Sequence, residues 1–133
     1  MATQQQDNAD ALREGYKAFN ERDFEAVMEL FDETIEWIEP EGSRYRGTYH
    51  GPEAVGSMFE RLLSDIADFA VEPDRILQAG QTVVALGHHR GTAVKAGETL
   101  TVPFAHVWDM EDGRVTRVQH YTDTAQFEQA LTE

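Results

Sequence analysis

Residues Thr99–Asp123 read TLTVPFAHVWDMEDGRVTRVQHYTD. Leu100, Val102, Phe104, His106, Trp108 and Met110 alternate with smaller or polar residues, the period-2 pattern of a strand with two unlike faces. Asp112-Gly113, inside the turn Glu111–Arg114, is a short-range hairpin signal, because such turns need positive φ and glycine accepts it freely. Val115–Tyr121, rich in Val, Thr and Tyr, reads as the return strand. His106, His120 and Asp123 lie on this hairpin or at its exit, and the upstream chain supplies what would wrap a pocket against it.

Outward from the hairpin, the chain has the dimensions of one domain, 1–133. A hydrophobic content of 41% fits a folded chain, and no cysteine is available for a disulfide, a zinc thiolate or a nucleophile. No apolar run approaches the roughly 18 residues of a membrane span. The start, MATQQQDNAD, lacks the basic and apolar parts of a secretory signal, so a cytoplasmic location is expected. Twenty-five acids against eleven bases give a net charge of −14. Such a field repels nucleic acid and anionic membranes, which removes both as expected partners. Only Lys17 and Lys95 are lysines, and a carboxylate-rich, lysine-poor surface resembles that of halophilic proteins, for which molar salt screens self-repulsion.

From the start, residues 1–6 are expected to fray. A first helix is expected from a cap at Asp7 or Asn8, with Leu12, Tyr16 and Phe19 as its apolar stripe. Asp23 caps a second, short helix presenting Phe24, Val27, Met28 and Phe31. In the strand Thr34–Pro40, Ile35, Trp37 and Glu39 share one face, and Pro40 ends the ladder. Residues 41–51 read as a loop. Pro52 opens a third helix over 53–67, with Val55, Met58, Phe59, Leu62, Leu63 and Ile66 inward. Strands follow at 69–76 and 81–94, then the hairpin, then a short helix over 124–131.

Helices grouped before a meander of strands imply an α+β chain. The expected form is a cone-shaped roll: a curved, mostly antiparallel sheet wrapped by three helices from the first half and a short C-terminal helix. Its open end would be a pocket, and its outer face would pair with a second copy as a homodimer.

The chain resembles the nuclear transport factor 2-like superfamily, in the branch of SnoaL-like and ketosteroid-isomerase-related proteins. The resemblance lies in Tyr16–Asp23, Leu30-Phe31, Trp37–Pro40, Gly47–Pro52, Phe104–Trp108, Asp112–Val115 and Tyr121–Asp123, in order over nearly the whole chain. It implies isomerase, cyclase, dehydratase or hydrolase chemistry, or a non-enzymatic module, because this fold carries all of them. Glu39-Pro40 matches the ketosteroid-isomerase base, with Glu for the usual Asp. The positions of that enzyme's oxyanion donors hold Gly15 and Ala105, and Tyr16 is offset from Gly15 by about 100° around a helix. The resemblance therefore does not extend to a true steroid isomerase, whose dienolate needs those donors. SnoaL-like cyclases place an acid/base aspartate ten residues after the hairpin-turn glycine; Asp123 stands ten after Gly113. Their histidine-tryptophan pair is replaced here by Val118-Gln119.

The expected catalytic candidates are Asp123, Glu39, His106 and His120, with Trp37, Tyr16, Tyr49, His88, Trp108 and Tyr121 as pocket or binding residues. Each has a plainer explanation. Asp123 fits a helix cap, since Asp is favoured there on local grounds. His106 fits a hydrogen-bonded core residue between Phe104 and Trp108, although its ordinary pKa suits proton transfer near neutrality. Glu39 beside the Trp37 wall fits a tuned carboxylate or a solvated strand end. His120 and Tyr121 are adjacent, so only one faces inward unless a bulge intervenes, and alternation pairs Tyr121 with Asp123. At most one of His88 and His89 reaches the pocket. No metal is expected: His88, His106 and Glu39 or Asp123 lack any tight ligand spacing. Arg44, Tyr45, Arg46 and Tyr49 are expected near the mouth as surface residues, the alternative being an arginine that clamps an anionic group. No organic cofactor is expected, because there is no glycine-rich phosphate loop. The function expected is acid/base chemistry on a small, largely apolar carbonyl or polyketide-like compound; the alternatives are a ligand-binding module and a dimerisation module with a filled cone.

Overall fold

Six strands make one sheet in the order β2-β1-β6-β5-β4-β3. The computed structural model describes residues 2–132, with side chains from Asn8 onward. The elements are α1 (Ala2–Asn20), α2 (Phe24–Leu30), β1 (Phe31–Glu39), β2 (Gly47–His50), α3 (Pro52–Asp65), β3 (Ile66–Ala79), β4 (Thr82–Ala93), β5 (Thr99–Glu111), β6 (Arg114–Thr122) and α4 (Thr124–Thr132). The sheet is antiparallel except where β1 runs parallel to β6. The α+β cone-shaped roll expected from the element order is the fold observed.

The hairpin behaves as its turn chemistry requires. Asp112 and Gly113 have φ of 51° and 78°, so both central residues take the left-handed conformation of a type I′ turn. The register slips between Asp109 and Met110, and Met110 pairs with Val115 while Asp109 pairs with Arg117. The extra residue, Thr116, reverses the phase of β6. Val115, Val118 and His120 all face inward, whereas strict alternation from Val115 would have brought Tyr121 in.

The sheet bends over α1 and α3 because its long strands are interrupted. β3 shifts register between Ala67 and Ala70 and between Pro73 and Arg75. Opposite the second shift, a Cβ at Gly87 would lie 2.0 Å from the Glu72 carbonyl oxygen, so only glycine permits that approach. The concave face packs Ile35, Val83, Val102, Val115 and Val118 against Leu12, Phe19, Val55, Met58 and Phe59 of the helices.

Several boundaries differ from the sequence reading. Phe31 opens β1 instead of closing α2, and α2 keeps its cap, Asp23 Oδ1 accepting from the Ala26 N–H at 3.2 Å. Ile66 belongs to β3 and is buried there. Gly47–His50, expected within a loop, pairs with β1 through four residues. α1 runs from Ala2, so Asp7 and Asn8 lie inside it, and Asn8 Nδ2 donates to Gln81 Oε1 at 3.3 Å. Of the tail expected to fray, Met1 lies outside the described residues.

Candidate functional site

The inward faces of β1, β4, β5 and β6 bring Glu39, His89, His106 and His120 together at one end of the concave surface. All four are buried, at 7%, 4%, 4% and 6% exposure. Each place follows from strand phase. Glu39 is two residues after Trp37; His106 lies between Phe104 and Trp108; His120 pairs with His106 across β5 and β6; and His89 continues the inward series Val83, Ala85 and Gly87.

Two hydrogen-bonded chains run through the cluster, and each starts from an indole N–H, which can only donate. In the first, Trp37 Nε1 donates to Glu39 Oε2 at 2.6 Å. Glu39 Oε1 lies 2.9 Å from His120 Nδ1, and His120 Nε2 lies 2.9 Å from His89 Nε2. This chain ends at His89 Nδ1, a buried nitrogen without a partner among the described residues. In the second, Trp108 Nε1 donates to the Tyr16 hydroxyl at 2.9 Å, and that hydroxyl lies 2.7 Å from His106 Nδ1. Burial holds the Tyr16 hydroxyl far above its ordinary pKa and its proton in place. Burial, followed by the nearby His120 and His89, holds His106 well below 6.5 and therefore neutral. The phenol thus donates to Nδ1, and the imidazole proton sits on His106 Nε2, which has no protein partner among the described residues. His89 is held neutral in the same way, by burial first and then by His120 and His88.

These groups line a cavity of ≈ 70 Å³, the space open to the centre of a water molecule. Its remaining walls are aromatic and aliphatic. Trp37 stands edge-on to Trp108 at 5.6 Å and to Phe59 at 5.3 Å, and Phe19, Phe69 and Phe127 complete the apolar lining. A low-dielectric chamber with a few converging polar groups has the lining of a small-molecule site, in a volume well under the roughly 300–1,000 Å³ of most such pockets. The loop from Pro40 to Arg46 and helix α4 meet beside it. Arg44 binds Glu128 through its Nε at 3.0 Å and its backbone N–H at 2.9 Å, and Ser43, Tyr45, Thr124 and Phe127 contribute to the lining.

The expected residues divide cleanly. Glu39, His106, His120, Trp37, Tyr16 and Trp108 converge on the cavity. Asp123 does not: it is exposed, and its Oδ1 accepts from the Gln126 N–H at 3.0 Å as the cap of α4. Tyr121 is 54% exposed on the outer face of the sheet, because Thr116 reverses the strand phase. His88 faces outward too, its Nδ1 lying 3.0 Å from Asp74 Oδ2, and His89 takes the inward place. Tyr49 is half-buried outside the cavity, its hydroxyl donating to the Tyr45 carbonyl at 2.5 Å. Arg44 is exposed, as expected, and is bound to Glu128. His89 is the residue that sequence reasoning set behind His88, and no sequence signal separated the two, because Val84 and Leu86 make the outward phase of β4 as apolar as the inward one. Among the described residues no group of three or more His, Asp or Glu is arranged to hold a metal ion, and no helix is long and apolar enough to cross a membrane.

Comparison with known proteins places this geometry in context. The SnoaL-like domain pattern matches residues 12–118. A nuclear transport factor 2-like protein of unknown function from Burkholderia pseudomallei is 32% identical, with 96% of this chain and 98% of that one covered and a TM-score of 0.89. TerC, co-crystallised with polyporic acid, is 27% identical over 96% of this chain and 99% of its own, with a TM-score of 0.88. Bal32a, from a soil-derived mobile gene cassette, is 30% identical over 95% and 97%, with a TM-score of 0.84. No curated protein matches the sequence.

Proposed function

Given that the chain belongs to the SnoaL-like domain family, we propose that it is a cofactor-independent enzyme moving protons on a small, planar, largely apolar carbonyl compound, in the manner of an isomerase, cyclase or dehydratase. The observation that carries this reading is the buried Glu39–His120–His89 chain in the wall of an aromatic cavity. A carboxylate bonded to an imidazole inside an apolar wall is an arrangement suited to general acid–base catalysis. The His106 Nε2–H supplies the complementary part: a fixed donor for a carbonyl oxygen as negative charge develops on it. The rings of His106 and His120 are 4.9 Å apart, so a single ligand reaches both. The similarity to TerC, a protein co-crystallised with polyporic acid, supports a small-molecule ligand.

The test is deuterium uptake from D2O into small enolisable aryl ketones, followed by proton NMR. The wild type should exchange the α-protons, and Glu39→Gln should slow exchange by about 10²–10⁴-fold, the usual worth of a positioned general base. Equal rates for the two proteins would remove the enzymatic reading. Binding without exchange by the wild type would favour a ligand-binding module, the competing function for the same cavity.

The homodimer remains part of the proposal. On the outer face of the sheet Val84 pairs with Val107, Leu86 with Ala105, and Ala105 with Tyr121, giving an apolar surface across three strands. A second copy of the same face would cover it.

A further inference from the structure

We propose that His89 is a proton shuttle that changes tautomer instead of charge, carrying a proton between a ligand at its Nδ1 and the Glu39–His120 pair beyond its Nε2. The proposal rests on the reading of the cavity as a ligand site, and three observations carry it.

The first is the orphan. His89 Nδ1 is buried and has no partner among the described residues, in a ring that lines the cavity wall. A buried polar atom left unpaired is uncommon, and a ligand that exchanges a proton with it would supply the missing partner. The second is the 2.9 Å contact between the Nε2 atoms of His89 and His120, which has room for one proton between two rings. Whichever ring holds that proton, the other presents a lone pair.

The third is what surrounds each ring. His89 is stacked between Phe69 at 5.4 Å and Phe104 at 4.8 Å, with Phe127 edge-on at 5.7 Å. The titratable groups facing it are His106 from β5 and His120 from β6, at ring separations of 6.2 Å and 4.9 Å. Packed against it, β3 and α4 offer only phenyl rings, and its neighbour His88 faces the other side of the sheet. No carboxylate touches His89, so a positive charge there would have no counterion. His120 has one, Glu39, at 2.9 Å. The stable place for a positive charge in this chain is therefore His120, although the unpaired nitrogen belongs to His89.

The step balances simply. A ligand X–H gives its proton to the His89 Nδ1 lone pair and keeps the bonding electrons as X⁻. The His89 Nε2–H passes to the lone pair of His120 Nε2. His120 becomes an imidazolium with Nδ1–H on Glu39 and Nε2–H on His89, while His89 ends neutral as the Nδ1–H tautomer. The reverse sequence delivers a proton to the ligand. The group that meets the substrate is thus uncharged before and after transfer, which suits an apolar chamber.

The shuttle is testable without a ligand, by long-range nitrogen–proton NMR on folded protein labelled with nitrogen-15 in histidine, followed as acid is added. The expected result is a coupled change: as His120 gains its second N–H, His89 exchanges Nε2–H for Nδ1–H and never shows the doubly protonated form. In Glu39→Gln, which removes the counterion of His120, the coupled change should be absent. The proposal is overturned if His89 becomes doubly protonated, if its tautomer stays fixed while His120 titrates, or if neither ring changes. The deuterium-uptake assay separates this from the functional reading. Exchange without a coupled tautomer switch removes the shuttle alone, and a coupled switch without exchange removes the enzymatic reading alone.

Discussion

Replacing Tyr16 with phenylalanine removes one oxygen and strands two groups. The Tyr16 hydroxyl accepts from Trp108 Nε1 at 2.9 Å and donates to His106 Nδ1 at 2.7 Å, and both partners are buried. Each buried group left unpaired costs about 1–3 kcal/mol. Against this, the variant no longer desolvates a hydroxyl, which returns roughly 1–2 kcal/mol. The net loss expected for Tyr16→Phe is therefore about 1–4 kcal/mol. For a domain of this size each kcal/mol moves the Tm by roughly 3–5 °C, so the drop should exceed about 3 °C. Urea unfolding of Tyr16→Phe, Trp108→Phe and the double variant isolates the pair. Their coupling should be at least about 1 kcal/mol, since contacting residues in one network do not add. A loss below about 0.5 kcal/mol for Tyr16→Phe, or simple additivity in the cycle, would refute the chain from Trp108 to His106.

Glu39→Ala should cost roughly 2–6 kcal/mol in denaturant unfolding because it leaves the buried Trp37 Nε1–H and His120 Nδ1 unpaired, whereas Glu39→Gln, which keeps an acceptor oxygen, should cost less than half of that. Asp123→Ala should lose about 1 kcal/mol, the usual worth of a helix cap, and leave deuterium uptake at the wild-type rate. His89 and His106 have folded-state pKa values depressed below 6.5, so the unfolded chain binds their protons first. The stability they contribute is present above about pH 6.5 and is lost as pH falls, by up to about 1.4 kcal/mol per pH unit for each ring, which urea titrations between pH 7 and 5 would read. Tyr121→Glu should convert a dimer to a monomer in sedimentation without unfolding it, and a wild type already monomeric would remove the dimer proposal. The Tm should rise between low and molar salt, given the charge of −14.

Much of the site was legible because β1 and β5 have unlike faces. Trp37 and Glu39, and Phe104, His106 and Trp108, share faces by simple alternation, and burial follows that phase. β4 carries no such contrast. Val84 and Leu86 face outward and Val83 and Ala85 inward, so both phases look apolar, and the choice between His88 and His89 had nothing to break the tie. In β6 the Thr116 bulge depends on pairing with β5, which alternation within one strand does not encode. Asp123 fitted two roles by position, and the direction in which α4 leaves the sheet decided for the cap. β2 escaped notice because four residues among glycines, arginines and tyrosines become a strand only by pairing with β1.

The measurement that bears most directly on the central claim is a crystal structure of the protein with 4-nitrophenol, a small planar acid. The predicted result is a ring held among Trp37, Phe59 and Trp108, with its oxygen within hydrogen-bond reach of His106 Nε2 or His89 Nδ1. A cavity closed by its own side chains, with the phenol only on the outer surface, would contradict the assignment of this chamber as the functional site.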